Sequence, residues 1–232
     1  MLGGLMKLKI AFIALCLFML TIPNASAGLL GTYYNLSSSH PDMQNIITGW
    51  TPGMVESTLT GATPTLTAYG ATQVSQFDWW DDSYESFSRV DSDADLQYNF
   101  ASSWFPVNDG LNGDPYHFAV KWSGSFYVDT DKNYTYSMGS DDDSWLFIDG
   151  QLVLDLGGVH AMSYTNYNLF LDEGHHTIDI FFAERHTVES GFQLNFFSDL
   201  EPTSPVPEPA TLFLLGGGLL GTALIRRRKH NK

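Results

Sequence analysis

The chain has almost no cysteine. Its one copy, Cys16, lies within an N-terminal apolar run, so nothing beyond that run can form a disulfide, a thiol nucleophile or a thiolate metal site. Cations are nearly as scarce. Residues 28–207 hold four basic side chains (Arg89, Lys121, Lys132 and Arg185) against 25 acidic ones, a net charge of −21. That balance excludes nucleic acid as a natural partner, because phosphate binding needs Lys and Arg. It suits calcium, or a hydrated polyanionic extracellular setting. From Asn133 to Glu184 there is no Lys or Arg at all, yet nine Asp and Glu fall there. Helical periodicity is missing too: no run of ten or more residues between 28 and 197 carries it. There is no Gly-x-Ser-x-Gly elbow and no phosphate loop. Carboxylate pairs alone leave a glycosidase open, but nothing forms a recognisable triad, so the expectation is a non-enzyme.

The two ends carry export signals. Lys7 and Lys9 precede an apolar run from Ile10 to Ile22, and Ala25-Ser26-Ala27 is a small-x-small cleavage site. Residues 1–27 therefore read as a secretory signal peptide, cut between Ala27 and Gly28. Leu15 stands before Cys16 where a lipoprotein signal wants a small residue, which argues against lipidation. At the other end, Ser198 to Pro209 contains four prolines and reads as an extended linker (198–209). Residues 210–225 form an apolar stretch expected to be a transmembrane or sorting helix, and 226–232 a basic cytoplasmic tail. Sixteen helical residues span about 24 Å against roughly 30 Å of hydrocarbon, a short span weakened further by Gly216-Gly217-Gly218. Pro207-Glu208-Pro209, the glycine-rich span and the Arg226-Arg227-Arg228 run resemble, in that order, the PEP-CTERM sorting tail of Gram-negative bacteria. The resemblance implies recognition and cleavage by an exosortase at Pro207-Glu208-Pro209. It also implies transient anchoring in the inner membrane and release to the cell surface or beyond.

Between these ends the pattern is that of strands. Tyr134, Tyr136 and Met138 alternate with polar residues, as do Ile178, Ile180 and Phe182, and Phe192, Leu194 and Phe196. Asp149-Gly150 between Trp145–Ile148 and Gln151–Leu154 is a strong hairpin signal. All six tryptophans, at 50, 79, 80, 104, 122 and 145, argue for a packed core. About 170 residues suffice for one domain and are too few for two. The expectation is an all-β fold, an antiparallel β-sandwich over residues 28–197, with residues 28–100 less regular than the rest.

Several segments resemble the PA14 domain, and its fibro-slime branch in particular. They are GLLGTYYN (28–35), FAVKWSGSFYV (118–128), YTYSMGSDDDSWLFIDGQLVLDL (134–156), DLGGVHA (155–161) and FFAERHTVESGFQLNF (181–196). The likeness is tight from residue 118 onwards and loose between 40 and 115. It implies a β-sandwich module of the kind present in toxins, glycosidases and adhesins. In several adhesin members sugar is bound through calcium held by an Asp-Asp pair joined by a cis peptide, and the matching pair here is Asp141-Asp142. Many members carry Gly where this chain has Asp143, so that carboxylate is either a further ligand or an obstruction to sugar.

Physical chemistry bears on the same stretch. Adjacent side chains on an extended strand point to opposite faces, so aiming both carboxylates at one ion requires a sharp bend. Ca²⁺, with six to eight oxygen ligands, is the ion that suits them. A solvated acidic turn would look the same in sequence. Asp143, Glu184, Arg185 and His186 are further candidates for ligand contact. Arg185 is alternatively a structural partner of a buried carboxylate such as Asp155. Asp91-Ser92-Asp93-Ala94-Asp95 imitates an EF-hand loop but has Leu96 and Ser102 at the sixth and twelfth positions. Asp129-Thr130-Asp131-Lys132-Asn133 fails likewise, with Tyr134 and Ser140. His160, His175, His176 and His186 lack His-x-His or His-x₃-His spacing, which argues against zinc. The sequence thus points to an exported surface or extracellular-matrix protein that binds extracellular polysaccharide with Ca²⁺. The alternative is a structural matrix or biofilm protein without specific glycan binding.

Overall fold

The computed structural model describes residues 28–43, 48–91, 97–98, 116–187, 189–195 and 202–203. The segments expected to be signal peptide (1–27), transmembrane or sorting helix (210–225) and basic tail (226–232) lie outside them. Eleven strands run β1 (Leu29–Asn35), β2 (Glu85–Asp91), β3 (Gln97–Tyr98), β4 (Phe118–Val128), β5 (Lys132–Asp141) and β6 (Asp143–Ile148). There follow β7 (Gln151–Leu156), β8 (Ser163–Leu171), β9 (Gly174–Glu184), β10 (Gly191–Asn195) and β11 (Pro202–Thr203). Among the described residues the only helical pieces are two 3₁₀ turns, Gly70–Thr72 and Asp82–Tyr84.

All the named strand pairs are antiparallel, and they make two sheets. The larger has the order β2-β1-β4-β9-β6-β7, with β11 joined to β4, and the smaller is β3-β10-β5-β8. This is the expected antiparallel β-sandwich. The Asp149-Gly150 turn joins β6 to β7 with both φ angles positive, at 50° and 71°, the geometry whose twist matches a two-residue hairpin. One segment read as linker behaves otherwise. Pro202↔Phe126 and Thr203↔Ser125 pair as β11, where β1 has already left the edge of β4 at Ser123. Proline, having no N–H to donate, is tolerated at such an edge.

The alternating residues meet between the sheets. Tyr134, Tyr136 and Met138 of β5, Ile178, Ile180 and Phe182 of β9, and Phe192 and Leu194 of β10 share one core with Phe118, Trp122 and Phe126. The larger sheet is buried on its other face as well. Residues 36–43 and 48–80 fold across it, and Met54, Trp79 and Trp80 pack there on Trp145, Phe147 and Phe181. Every residue of β6 is consequently buried, which explains why Trp145–Ile148 reads as a continuous apolar run rather than an alternating one. The irregular region is thus the lid of a second core.

Candidate functional site

The three aspartates stand where the chain changes sheets. β5 belongs to the smaller sheet and ends at Asp141, whereas β6 belongs to the larger and begins at Asp143. Asp142 is the step between them, and the Asp141–Asp142 peptide is cis. The ladder Asp143↔Ala183 sets β9 beside β6, so that β9 delivers its last residue, Glu184, to the same end of the sandwich.

The loop after β7 folds over the carboxylates in step with them. The amide of Gly158 donates to Asp143 Oδ1. Those of His160 and Met162 donate to Asp142 Oδ1 at 2.9 Å and Asp141 Oδ2 at 3.1 Å. Every second amide of the loop thus serves one aspartate. Gly158 turns at φ +114°, and a Cβ there would sit 2.2 Å from the carbonyl oxygen of Gly49, so only glycine fits. On the other side the amide of Arg185 donates to Asp142 Oδ2 at 2.9 Å. Its guanidinium grips Asp143 with two bonds, Nε to Oδ2 at 2.7 Å and Nη2 to Oδ1 at 3.0 Å. The same guanidinium lies 4.8 Å from the Trp79 ring centre.

After this distribution two oxygens remain. Glu184 Oε1 accepts from the His186 amide at 2.9 Å, but Oε2, wholly buried, has no hydrogen-bond donor. Asp141 Oδ1 accepts no hydrogen bond among the described residues. Asp141, Asp142 and Glu184 present one oxygen each within 4.8 Å of one another, and among the described residues they are the one such group of three potential ligands. Burial, reinforced by the neighbouring Asp142 charge, pushes the carboxyls of Asp141 and Glu184 up. Burial and the Asp143 charge raise Asp142, against the pull of the Arg185 amide and guanidinium. Crowded carboxylates with raised pKa and an orphaned oxygen are a place for a proton or a cation. The group opens on a pocket of about 170 Å³ lined by Asp141, Asp142, Val159, His160, Ala161, His186 and Glu189.

Set beside the sequence reading, Asp141, Asp142 and Glu184 converge, and His186 lines the pocket. Asp143 and Arg185 are engaged with each other, so Arg185 pairs with Asp143 and not with Asp155. Asp155 instead accepts the amides of Gly53 and Gly157 at 2.7 and 2.9 Å. His160 faces two backbone carbonyls, His175 packs on Tyr127, and His176 bonds Asp149. In the first EF-like stretch Asp91 accepts from Tyr33, Arg89 and Trp122, and in the second Asp131 accepts the Glu173 amide. The loop amides and the pocket residues Val159, Ala161 and Glu189 were not anticipated. The Gly157-Gly158 pair inside DLGGVHA was the signal for the loop.

A two-sheet antiparallel sandwich, with an aspartate pair at the sheet crossover and an acidic pocket at one end, defines an all-β sandwich module. Residues 26–207 match the PA14 domain family, and the chain belongs to it. Residues 205–229 match the PEP-CTERM protein-sorting motif, which marks an exported chain sorted by exosortase.

Relatives include the proteins psiC and psiB of Dictyostelium discoideum. They are 39% identical over 103 residues and 38% identical over 111, covering 43% and 40% of this chain. The matches span about a fifth of the length of these curated relatives, 19% and 20%. Among solved structures, the chain is similar to the PA14 domain of the MpAFP antifreeze protein (TM-score 0.48, 15% identity, 79% of this chain and 94% of that one). It is also similar to the PA14 sugar-binding domain of an RTX adhesin (TM-score 0.46, 16% identity, 77% and 96%). A third is the epithelial adhesin 9 A domain of Candida glabrata, solved with Galβ1-4GlcNAc (TM-score 0.43, 15% identity, 76% and 84%).

Proposed function

We propose that this protein is an exported cell-surface or matrix module that binds carbohydrate through Ca²⁺ held by Asp141, Asp142 and Glu184. The observation that carries the reading is the orphaned acceptor. Glu184 Oε2 is buried beside Asp142 with no donor, and the nearest guanidinium is committed to Asp143. A hard cation that takes oxygen ligands fits such a group. The chemistry it supplies is charge neutralisation and open coordination positions for sugar hydroxyls. His160, His186 and Glu189 around the pocket would border the bound sugar. Polysaccharide is the partner class, in keeping with what the RTX adhesin domain and the Candida glabrata adhesin are described as binding.

Thermal melting of the full-length chain in millimolar calcium and in EDTA tests the ion. Calcium is expected to raise Tm, by mass action on the folded state, and the rise should vanish in Asp141→Asn/Glu184→Gln. Equal melting temperatures in calcium and EDTA would mean that a proton shared by Glu184 and Asp142 satisfies the cluster, and the module would then be structural. Retention of glycans on an array, lost in EDTA, tests the sugar.

A further inference from the structure

Among the described residues, the middle of the outer face of the smaller sheet carries no charged side chain. Because Tyr134, Tyr136, Met138 and Leu194 point inward, their neighbours on β5, β8 and β10 point out. On β8 these are Tyr164, Asn166, Asn168 and Phe170, all exposed. Beside them on β5 lie Thr135 and Ser137, and the facing positions of β10 are amides, Gln193 and Asn195. None of the described outward residues over 133–139, 164–170 and 193–195 is acidic or basic, in a region whose net charge is −21. The polar groups are tied into a flat array. Thr135 Oγ1 donates to Asn168 Oδ1 at 2.6 Å, and Asn195 Nδ2 to Ser137 Oγ at 3.2 Å.

Two rings stand on this array. Tyr164 is 57% exposed and Phe170 55% exposed. Six residues of strand separate them, about 20 Å along β8. Tyr164 lies across the bare Cα of its cross-strand partner Gly139, where a Cβ would come 2.3 Å from the ring. That contact explains the ring's position but not its exposure, and a covering of glycine needs no second ring at Phe170. Single exposed aromatics are ordinary, whereas two on one uncharged face make a surface.

We infer that this face is a second carbohydrate platform, independent of the acidic pocket, which takes a neutral polysaccharide chain laid along β8. The rings offer apolar faces to the C–H faces of pyranose units, and the amides and hydroxyls between them pair with sugar hydroxyls. Charge selects the occupant. A polyanion is repelled by the surrounding acidic surface, a cationic peptide meets no carboxylate here, and a second copy brings a like charge of the same size. A neutral polyhydroxylic chain meets none of these penalties. No cation takes part, because none of these outward residues is a carboxylate.

The test is affinity electrophoresis of the full-length chain in gels containing hydroxyethylcellulose (a neutral β-glucan) or alginate (a polyuronate), each with calcium or EDTA. Retardation is expected in the neutral glucan alone, and unchanged by EDTA or by Asp141→Asn/Glu184→Gln. Tyr164→Ala/Phe170→Ala should weaken binding by about tenfold or more, the equivalent of about 1.4 kcal/mol. Asn166→Asp, an exposed change that keeps both rings and places a charge between them, should weaken it likewise. An unretarded wild type, or retention by these variants as strong as that of the wild type, overturns the platform. Retardation abolished by EDTA assigns all sugar binding to the pocket and also overturns it. A dimer in sedimentation that dissociates in Tyr164→Ala/Phe170→Ala makes the face a contact between copies instead.

Discussion

Asp141, Asp142 and Asp143 share one side chain and have three different fates, decided by what reaches each of them. Asp143 has both oxygens taken by Arg185 and a third bond from Gly158, and it is fully buried. Removing one member of such a pair strands the other charge in the interior, which typically costs about 3–5 kcal/mol. Asp143→Ala is therefore expected to lose stability of that order in urea denaturation, with Arg185→Ala similar. Asp143→Leu/Arg185→Met should lose less than either single change. A loss below about 1 kcal/mol in the single variants would mean that water reaches the pair. Asp141 and Asp142, by contrast, turn carboxylate oxygens toward Glu184, where no guanidinium is left to meet them. Asp143 is thus committed to Arg185 and leaves the other two to the pocket.

At the scale of elements, hairpins and ladders bring these residues into place, and one hairpin is sensitive to pH. At the β6–β7 turn, Asp149 bonds His176 Nδ1 at 2.6 Å and the Thr177 amide at 2.8 Å, linking the turn to β9. Burial alone lowers the pKa of His176. The hydrogen bonds to Asp149 and to the Asp172 carbonyl outweigh it, and the pKa ends above 6.5. A raised folded pKa stabilises the fold below the unfolded value, and the contribution disappears as pH rises through the folded value. His176→Gln is thus expected to lower stability at pH 6, by less than about 1 kcal/mol because the partner Asp149 is half exposed, and to change it little at pH 9. Urea midpoints at the two pH values check this, and an equal difference at both would rule out an ionic contribution. Register was legible here because Asp-Gly and period-two alternation are local signals. The lid of the second core was not. Trp79 and Trp80 reach Trp145 across 66 and 65 residues of sequence, and Trp80 reaches Phe181 across 101, and no local pattern encodes those contacts.

For the whole molecule, the export reading and the acidic surface belong together. The sorting motif spans residues 205–229, immediately after β11 docks on β4. Exosortase processing is expected at Pro207-Glu208-Pro209. Glu208→Ala should therefore leave a full-length 25.8 kDa species, less its signal peptide, in the membrane fraction. Mass spectrometry of the wild type should show the tail removed. A wild type that keeps its tail would identify a plain anchor. With the tail gone, a body of charge −21 would repel anions, and on the proposed function it would lie in a polysaccharide layer. It would be held there by an ion-filled pocket at one end and by an uncharged face along the smaller sheet.

Composition and alternation, which are local and additive properties, determined by themselves that residues 28–197 form a cysteine-free, all-β module, and the contiguous motifs of residues 205–229 marked the sorting tail. The Asp141-Asp142 pair was visible for the same reason, being contiguous. The tertiary structure alone decided which carboxylates are available. Asp143 is neutralised by an arginine 42 positions away, and Glu184 is brought in by the β6–β9 ladder. It also decided that the outward sides of three strands together form one uncharged surface. Each strand shows polar residues at every second position, but only the register of β5 between β8 and β10 lays them side by side.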